Sequence, residues 1–229
     1  MEKRRVIFPT SFNRNNNMMK ALKLSCMGAA MVALAACGSA PAQAEDNTGT
    51  TQNPVIETIM ARRSVRKYQN KAVEREKLQQ IAECGVNAPN GMNRQPWEVR
   101  IVNNAEYING ITAEFKKENA QMAADPNFKN MFRNAPAVIF IAAPKDGSGQ
   151  IDCGLLGENI ILAAQSLGLG TCCLGGPIHF MKTSSAAKPY VERLNLSDDY
   201  ELLYAIAVGY PDETPEAKPR DTSKIKFVE

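Results

Sequence analysis

The sequence predicts a single α+β domain, a mixed sheet of four or five strands flanked by helices, set behind an export leader. Two observations carry the fold class. Helix-like and strand-like apolar patterns interleave along the chain without regular βαβ spacing. A stretch from Ile151 to Leu167 is apolar nearly all round, as expected of a central, buried helix. A third observation sets the domain limits: the first forty residues have the layout of a secretory signal rather than of a folded element. The chain has 229 residues, 44% hydrophobic and 22% charged, enough to bury one sizeable core.

The elements follow in order. From Met19, the expected start of translation, a basic head (Lys20, Lys23) leads into an apolar run too short for an ordinary membrane-spanning helix. That run ends in Leu34-Ala35-Ala36-Cys37, which resembles the lipobox of bacterial lipoproteins, so residues 1–37 are expected to be a leader and Cys37 a lipidated residue. Gly38 after that cysteine, in place of an aspartate, points to the outer membrane. Ala42-Gln43-Ala44 offers the alternative of cleavage to a soluble periplasmic protein, and Arg4-Arg5 lies too far from the apolar run for a twin-arginine signal. Residues 38–53, rich in small and polar types, are expected to be a flexible tether, with residues 54–229 forming the domain.

Within the domain, Asn53 is a plausible N-cap for a helix over Pro54–Arg63, with Val55, Ile56, Ile59 and Met60 on its apolar face. A second helix is predicted over Glu74–Cys84, stopped by Gly85 and Pro89. Alternation predicts a strand over Trp97–Val102, and spacing predicts a helix over Ala105–Met122. Ala137–Ala142 reads as a buried strand, Ile151–Leu167 as the central helix ended by Gly168, and Thr171–Leu174 as a short apolar segment. A helix over Thr183–Leu194 and a strand over Leu202–Val208, closed by Gly209-Tyr210-Pro211, complete the body. The tail ends in a weakly alternating, strand-like piece at Ile225–Glu229 that suggests packing on another subunit.

Charge and motif content narrow the function. Residues 1–44 hold six Lys or Arg and one acid, which leaves 21 basic against 23 acidic residues in the rest of the chain. A nearly neutral body argues against broad nucleic-acid binding. The HExxH, GxSxG, P-loop and strand-attached GxGxxG patterns are all missing. The lone histidine, His179, sits among apolar neighbours and reads as structural. None of the cysteines has zinc-like spacing, and the pairing of Cys84, Cys153, Cys172 and Cys173 stays open.

Three local clusters remain. Arg62-Arg63-Ser64-Val65-Arg66 at a helix end offers guanidinium groups and a hydroxyl suited to a phosphate. Pro89-Asn90-Gly91-Met92-Asn93-Arg94-Gln95-Pro96-Trp97 is a loop dense in amides, stiffened by prolines, able to meet the edge of a heteroaromatic ring. Lys218-Pro219-Arg220 places a second pair of cations in the tail.

Taken in this order, together with Ser166-Leu167-Gly168-Leu169-Gly170 and Gly175-Gly176, these segments resemble the FMN-dependent nitroreductase family from about Val55 to Arg220. The resemblance implies the nitroreductase-like fold, an intertwined homodimer and FMN at its interface. It implies that Arg62, Ser64, Lys218 and Arg220 hold the phosphate and ribityl chain, with Arg63 adding backbone contacts and Arg66 lying near the N1/O2 edge of the flavin. Pro89, Asn90, Asn93 and Gln95, from the other subunit, would line the ring and ribityl, while Gly175 and Gly176 bring backbone N–H groups against the ring. No side-chain nucleophile is implied, because the chemistry is the flavin's. The expected activity is reduction of nitroaromatic, quinone or related acceptors by NADH or NADPH in two steps. Export leaves the donor open, and the alternatives are a family dehydrogenase or dehalogenase with another electron partner, or a flavin-binding lipoprotein without NAD(P)H turnover.

Overall fold

The structure is a computed structural model that describes residues 53–229. The expected leader, Cys37 and the tether as far as residue 52 lie outside the described residues. Asn53 caps the first helix, α1 (Pro54–Ala61), by accepting from the amides of Val55 and Ile56 at 3.0 and 3.3 Å.

The remaining elements are α2 (Arg75–Val86), β1 (Glu98–Val102), α3 (Ala105–Glu118), α4 (Ala120–Ala124), β2 (Ala137–Pro144), α5 (Gln150–Ser166), β3 (Gly170–Leu174), α6 (Gly176–Thr183), α7 (Lys188–Arg193) and β4 (Tyr200–Gly209). The sheet has four strands in the order β1-β2-β4-β3, every neighbouring pair antiparallel. The parallel part of the expected mixed sheet is confined to an isolated bridge between Ser64 and Thr171.

Both faces of the sheet are covered, which explains why β2 reads as an uninterrupted apolar run. Val138 and Phe140 point to one face, with Tyr107, Ile108 and Ile111 of α3 and Phe180 of α6. Ile139 and Ile141 point to the other, with Leu78 and Ile81 of α2 and Leu156 and Ile160 of α5. The two-residue period of the strand thus feeds two cores at once.

Four element expectations need correction. Helix α2 does not stop at Gly85 but runs on to Val86, because Gly85 is where α5 crosses: a Cβ there would stand 2.6 Å from Ile160 Cγ1. The helix expected over Ala105–Met122 breaks at Asn119, whose side-chain Nδ2 donates to the Phe115 carbonyl at 2.8 Å. The helix expected over Thr183–Leu194 is two shorter pieces, a 3-10 turn at Ser185–Ala187 and α7, and the separate helix α6 comes before them and ends at Thr183. Pro177 and Pro189 each lie in a first turn, the helical position that tolerates a missing N–H. Residues Ile225–Glu229 form no strand, and Phe227 and Val228 are 95% and 99% exposed.

Gly168, at φ 73°, ends α5 as expected. Helix α5 is buried along most of its apolar length, but Ile151 and Leu155 near its start face outward, as do Val55, Ile56, Ile59 and Met60 of α1. All four cysteines of the domain are free thiols.

Candidate functional site

The arginine cluster forms an extra extended edge beside β3. Past α1 the chain straightens, the Val65 amide donates to the Thr171 carbonyl at 2.9 Å, and Ser64 bridges Thr171. Val65 lies so close over Gly170 that a Cβ on that glycine would meet its side chain at 2.8 Å. The segment then turns alongside the exit of β4. Gln69 N donates to Tyr210 O and Asp212 N to Lys67 O, both at 2.9 Å, and Tyr68 pairs with Pro211. Glu213 closes the arrangement, its Oε1 accepting from the backbone amides of both Arg66 and Lys67.

The arginines on this edge have different environments. Arg63 Nη1 donates to the carbonyls of Met60 and Arg62 at 2.6 and 2.8 Å, so its guanidinium is spent on the end of α1. Arg66 is exposed, with Nη1 steadied by the Ser64 carbonyl at 3.0 Å. Arg62 Nε is buried with no hydrogen-bond partner among the described residues. A buried, unpaired guanidinium nitrogen is costly and calls for an acceptor, which an anionic ligand supplies. Burial raises the thiol pKa values of Cys173 and Cys172, and this is opposed by Arg62 at the first and by Arg66 with Arg133 at the second.

Beyond β3, Gly175 and Gly176 open α6. A Cβ at either would meet nothing within 4 Å, so the backbone there faces open space that a flat ring can occupy. The phosphate-seeking edge and this open shelf are the two ends of one short strand.

The amide loop is a separate construction. Asn90 Oδ1 accepts from Gln95 N at 2.8 Å and its amide donates to Ala88 O at 3.2 Å, drawing the loop into a tight bend anchored by the buried Trp97. Met92, Asn93 and Gln95 all have φ between 51° and 54°, a left-handed conformation that costs energy in residues other than glycine. The side chains of Pro89, Asn93 and Gln95 are exposed. No hydrogen bond or ion pair among the described residues joins this loop to the arginine edge of the same chain.

Lys218 and Arg220 are likewise exposed, and Arg220 reaches only the carbonyls of Lys218 and Pro219, at 3.2 and 3.5 Å. The single chain therefore gathers Arg62, Ser64, Arg66 and the Gly175-Gly176 turn around β3, and leaves the loop and the tail cations apart from them. Sequence reasoning missed Glu213 and Thr171. Each acts on the backbone of the arginine edge from more than a hundred residues away, Thr171 through its carbonyl and Glu213 through its carboxylate, and such long-range bonds leave no local pattern; only the carboxylate soon after Gly209-Tyr210-Pro211 hinted at one of them.

Among the described residues no group of His, Cys, Asp and Glu could hold a metal ion, and no helix is long and apolar enough to cross a membrane.

Comparison with known proteins bears on the whole of this region. The NADPH-flavin oxidoreductase of Vibrio harveyi is 31% identical over 175 residues, covering 73% of this chain and 70% of that protein. A nitroreductase with bound FMN from Desulfitobacterium hafniense superposes with a TM-score of 0.68 at 30% identity, over 77% of this chain and 99% of its own. One from Bacteroides fragilis, also with bound FMN, gives 0.66 at 26% identity, over 77% and 100%. The nitroreductase family pattern matches residues 59–210, from the end of α1 through the arginine edge and the sheet to Tyr210, and the chain belongs to the nitroreductase family.

Proposed function

We propose that this protein is an FMN-dependent NAD(P)H oxidoreductase of nitroreductase type, working as a homodimer. The observation that carries the reading is the buried, partnerless Nε of Arg62 beside Ser64, on an edge that leads to the open backbone at Gly175-Gly176. These residues fit FMN: a cation and a hydroxyl for the phosphate, and exposed main chain with no side chain in the way of the ring. FMN, when bound, supplies the chemistry, taking a hydride from NAD(P)H and passing two electrons to a nitroaromatic, quinone or related acceptor.

The protein's own residues bind and tune. Arg62 and Ser64 would hold the phosphate, joined by Lys218 and Arg220 once the tail is folded back. Arg63, committed to α1, would contribute only its main chain. Arg66 would fix a positive charge at the N1/O2 edge, where reduction places negative charge. Its position is set by the Glu213 carboxylate on its own amide and by the Ser64 carbonyl on its guanidinium.

The homodimer is supported by what the single chain leaves exposed. Apolar side chains of α1, Ile151 and Leu155 of α5, and Ile225, Phe227 and Val228 of the tail are uncovered and available to an interface with a second copy. In the dimer, Pro89, Asn90, Asn93 and Gln95 of one subunit would reach the flavin of the other. Lipid attachment at Cys37, supported by Leu34-Ala35-Ala36-Cys37, would hold the dimer to a membrane facing the periplasm.

The test is anaerobic spectroscopy of the FMN-reconstituted protein. Bleaching of the flavin bands by NADPH or NADH, and their return on adding a quinone, is the expected result. Flavin that stays oxidised with both donors would overturn the assignment of the donor.

A further inference from the structure

Beside Arg66 the surface folds into a groove of about 980 Å³, between residues 66–72, the first turns of α3 and the loop that leads into β2. Its walls hold Arg66, Lys67, Lys71 and Lys129 against one carboxylate, Asp212. Lys71 is engaged elsewhere, 3.9 Å from Glu74 and 3.8 Å over the ring of Tyr210. The side-chain cations of Arg66, Lys67 and Lys129 form no ion pair among the described residues, the Glu213 carboxylate being bound to the backbone amides of the first two. The wall carrying Lys129 is stiff: Asn134 Oδ1 accepts from the amides of Lys129 and Asn130 at 2.8 and 2.9 Å, and Asn130 in turn donates to Ala135 O at 3.1 Å. The side chains of Asn70 and Asn103, also in the groove, make no hydrogen bond among the described residues.

A second groove, of about 880 Å³ near α7, differs in kind. Its lysines are balanced by Glu192, Asp198 and Glu201, and Lys182 is already paired with Glu201 at 2.8 Å. Of these two grooves, the one beside Arg66 combines an excess of cations that form no ion pair among the described residues with side-chain amides that make no hydrogen bond among them.

We propose that this groove is the subsite for the adenosine phosphate half of the nicotinamide dinucleotide. The proposal rests on the flavin reading above, and goes beyond it by assigning the donor's non-reacting half. Unpaired cations suit phosphate oxygens, and a side-chain amide, donor and acceptor together, suits the edge of adenine. The volume is that of a small-molecule site. Arg66 forms one wall of the groove and, in the flavin reading, serves the flavin edge, so the groove and the flavin site share this residue.

The test compares the FMN-loaded protein with its Lys67→Glu/Lys129→Glu variant, using NADPH, NADH and reduced nicotinamide mononucleotide, which lacks the adenosine half. The KM for both dinucleotides is expected to rise about tenfold or more, the scale of losing charge-assisted contacts to phosphate. The KM for the mononucleotide and the FMN affinity should stay within about twofold, because neither lysine side chain is part of the flavin edge and the Lys67 backbone amide that Glu213 holds is unaltered by the substitution. Lys→Arg replacements at both positions should restore the dinucleotide KM. Unchanged dinucleotide KM, or a mononucleotide KM that rises in parallel, would overturn the proposal. Calorimetric titration with ADP needs no flavin and separates the two readings. Heat that depends on Lys67 and Lys129 sustains the groove whatever the outcome with FMN, and its absence overturns the groove even if FMN binds and turns over.

Discussion

Replacing Arg62 by methionine should move apo stability and flavin affinity in opposite directions. Without flavin, Arg62 Nε is buried with no hydrogen-bond partner among the described residues, which costs about 1–3 kcal/mol. Methionine keeps an unbranched stem of similar reach and removes that nitrogen, so the flavin-free variant should be as stable as the parent or about 1 kcal/mol more stable, about 2–4 °C in Tm. With FMN the sign reverses. Losing one charged donor to the phosphate should weaken binding by about 1.5–3 kcal/mol, roughly 10–150-fold in Kd. Thermal melts of the flavin-stripped proteins and fluorescence-quenching titration with FMN measure the two halves independently. An apo variant destabilised by more than about 1 kcal/mol would show that Arg62 already has a structural partner. An unchanged Kd for FMN would remove Arg62 from the phosphate site.

Other outcomes follow from the same geometry. Glu213→Ala frees the amides of Arg66 and Lys67, so FMN affinity should fall several-fold while Glu213→Gln, which keeps an accepting oxygen, stays near the parent in the same titration. Gly157→Ala places a methyl group onto the Tyr204 hydroxyl, which donates to Cys153 O at 2.7 Å, and denaturant unfolding should show a loss of about 1–3 kcal/mol. Burial pushes the Cys153 thiol up to about 11 and raises the phenols of Tyr107 and Tyr204 further. These groups fold in their neutral forms, so their stabilisation is complete below pH 9 and is lost as pH rises above it. Melting temperatures measured from pH 7 to 11 should therefore fall on the alkaline side, and a flat profile would contradict the burial of these groups.

The fold was legible where each pattern had one cause. Asn53 before Pro54, the two-sided apolar run of β2 and Gly168 after α5 each state a local physical requirement, and each stands where the chain places it. Reading failed where a tertiary contact overrode a local rule. Gly85 looked like a helix stop and is a crossing point with Ile160, and α6 occupies Gly176–Thr183, where no helix was expected before Thr183. The site was legible in part for a related reason. Arg62 and Ser64 announce a phosphate by residue type and spacing, but Thr171 and Glu213, which hold that edge in place, do so from distant sequence through the backbone. The amide loop and the tail cations were legible as chemistry and not as neighbours of the arginine edge, because within one chain they do not meet it. The outward apolar faces of α1 and α5 explain the same gap, since the pattern that marks a buried helix cannot distinguish a core from an interface.

The central claim is that the Arg62–Ser64 edge and the Gly175-Gly176 shelf form an FMN site completed by a second copy of the chain. Sedimentation of residues 53–229 with flavin absorbance followed across the boundary tests it directly. The account predicts a dimer that carries close to one FMN per chain, with flavin lost from the boundary in Arg62→Met and Arg220→Ala. A monomer that binds FMN as tightly as the dimer, or a dimer that sediments without flavin in excess FMN, would contradict it.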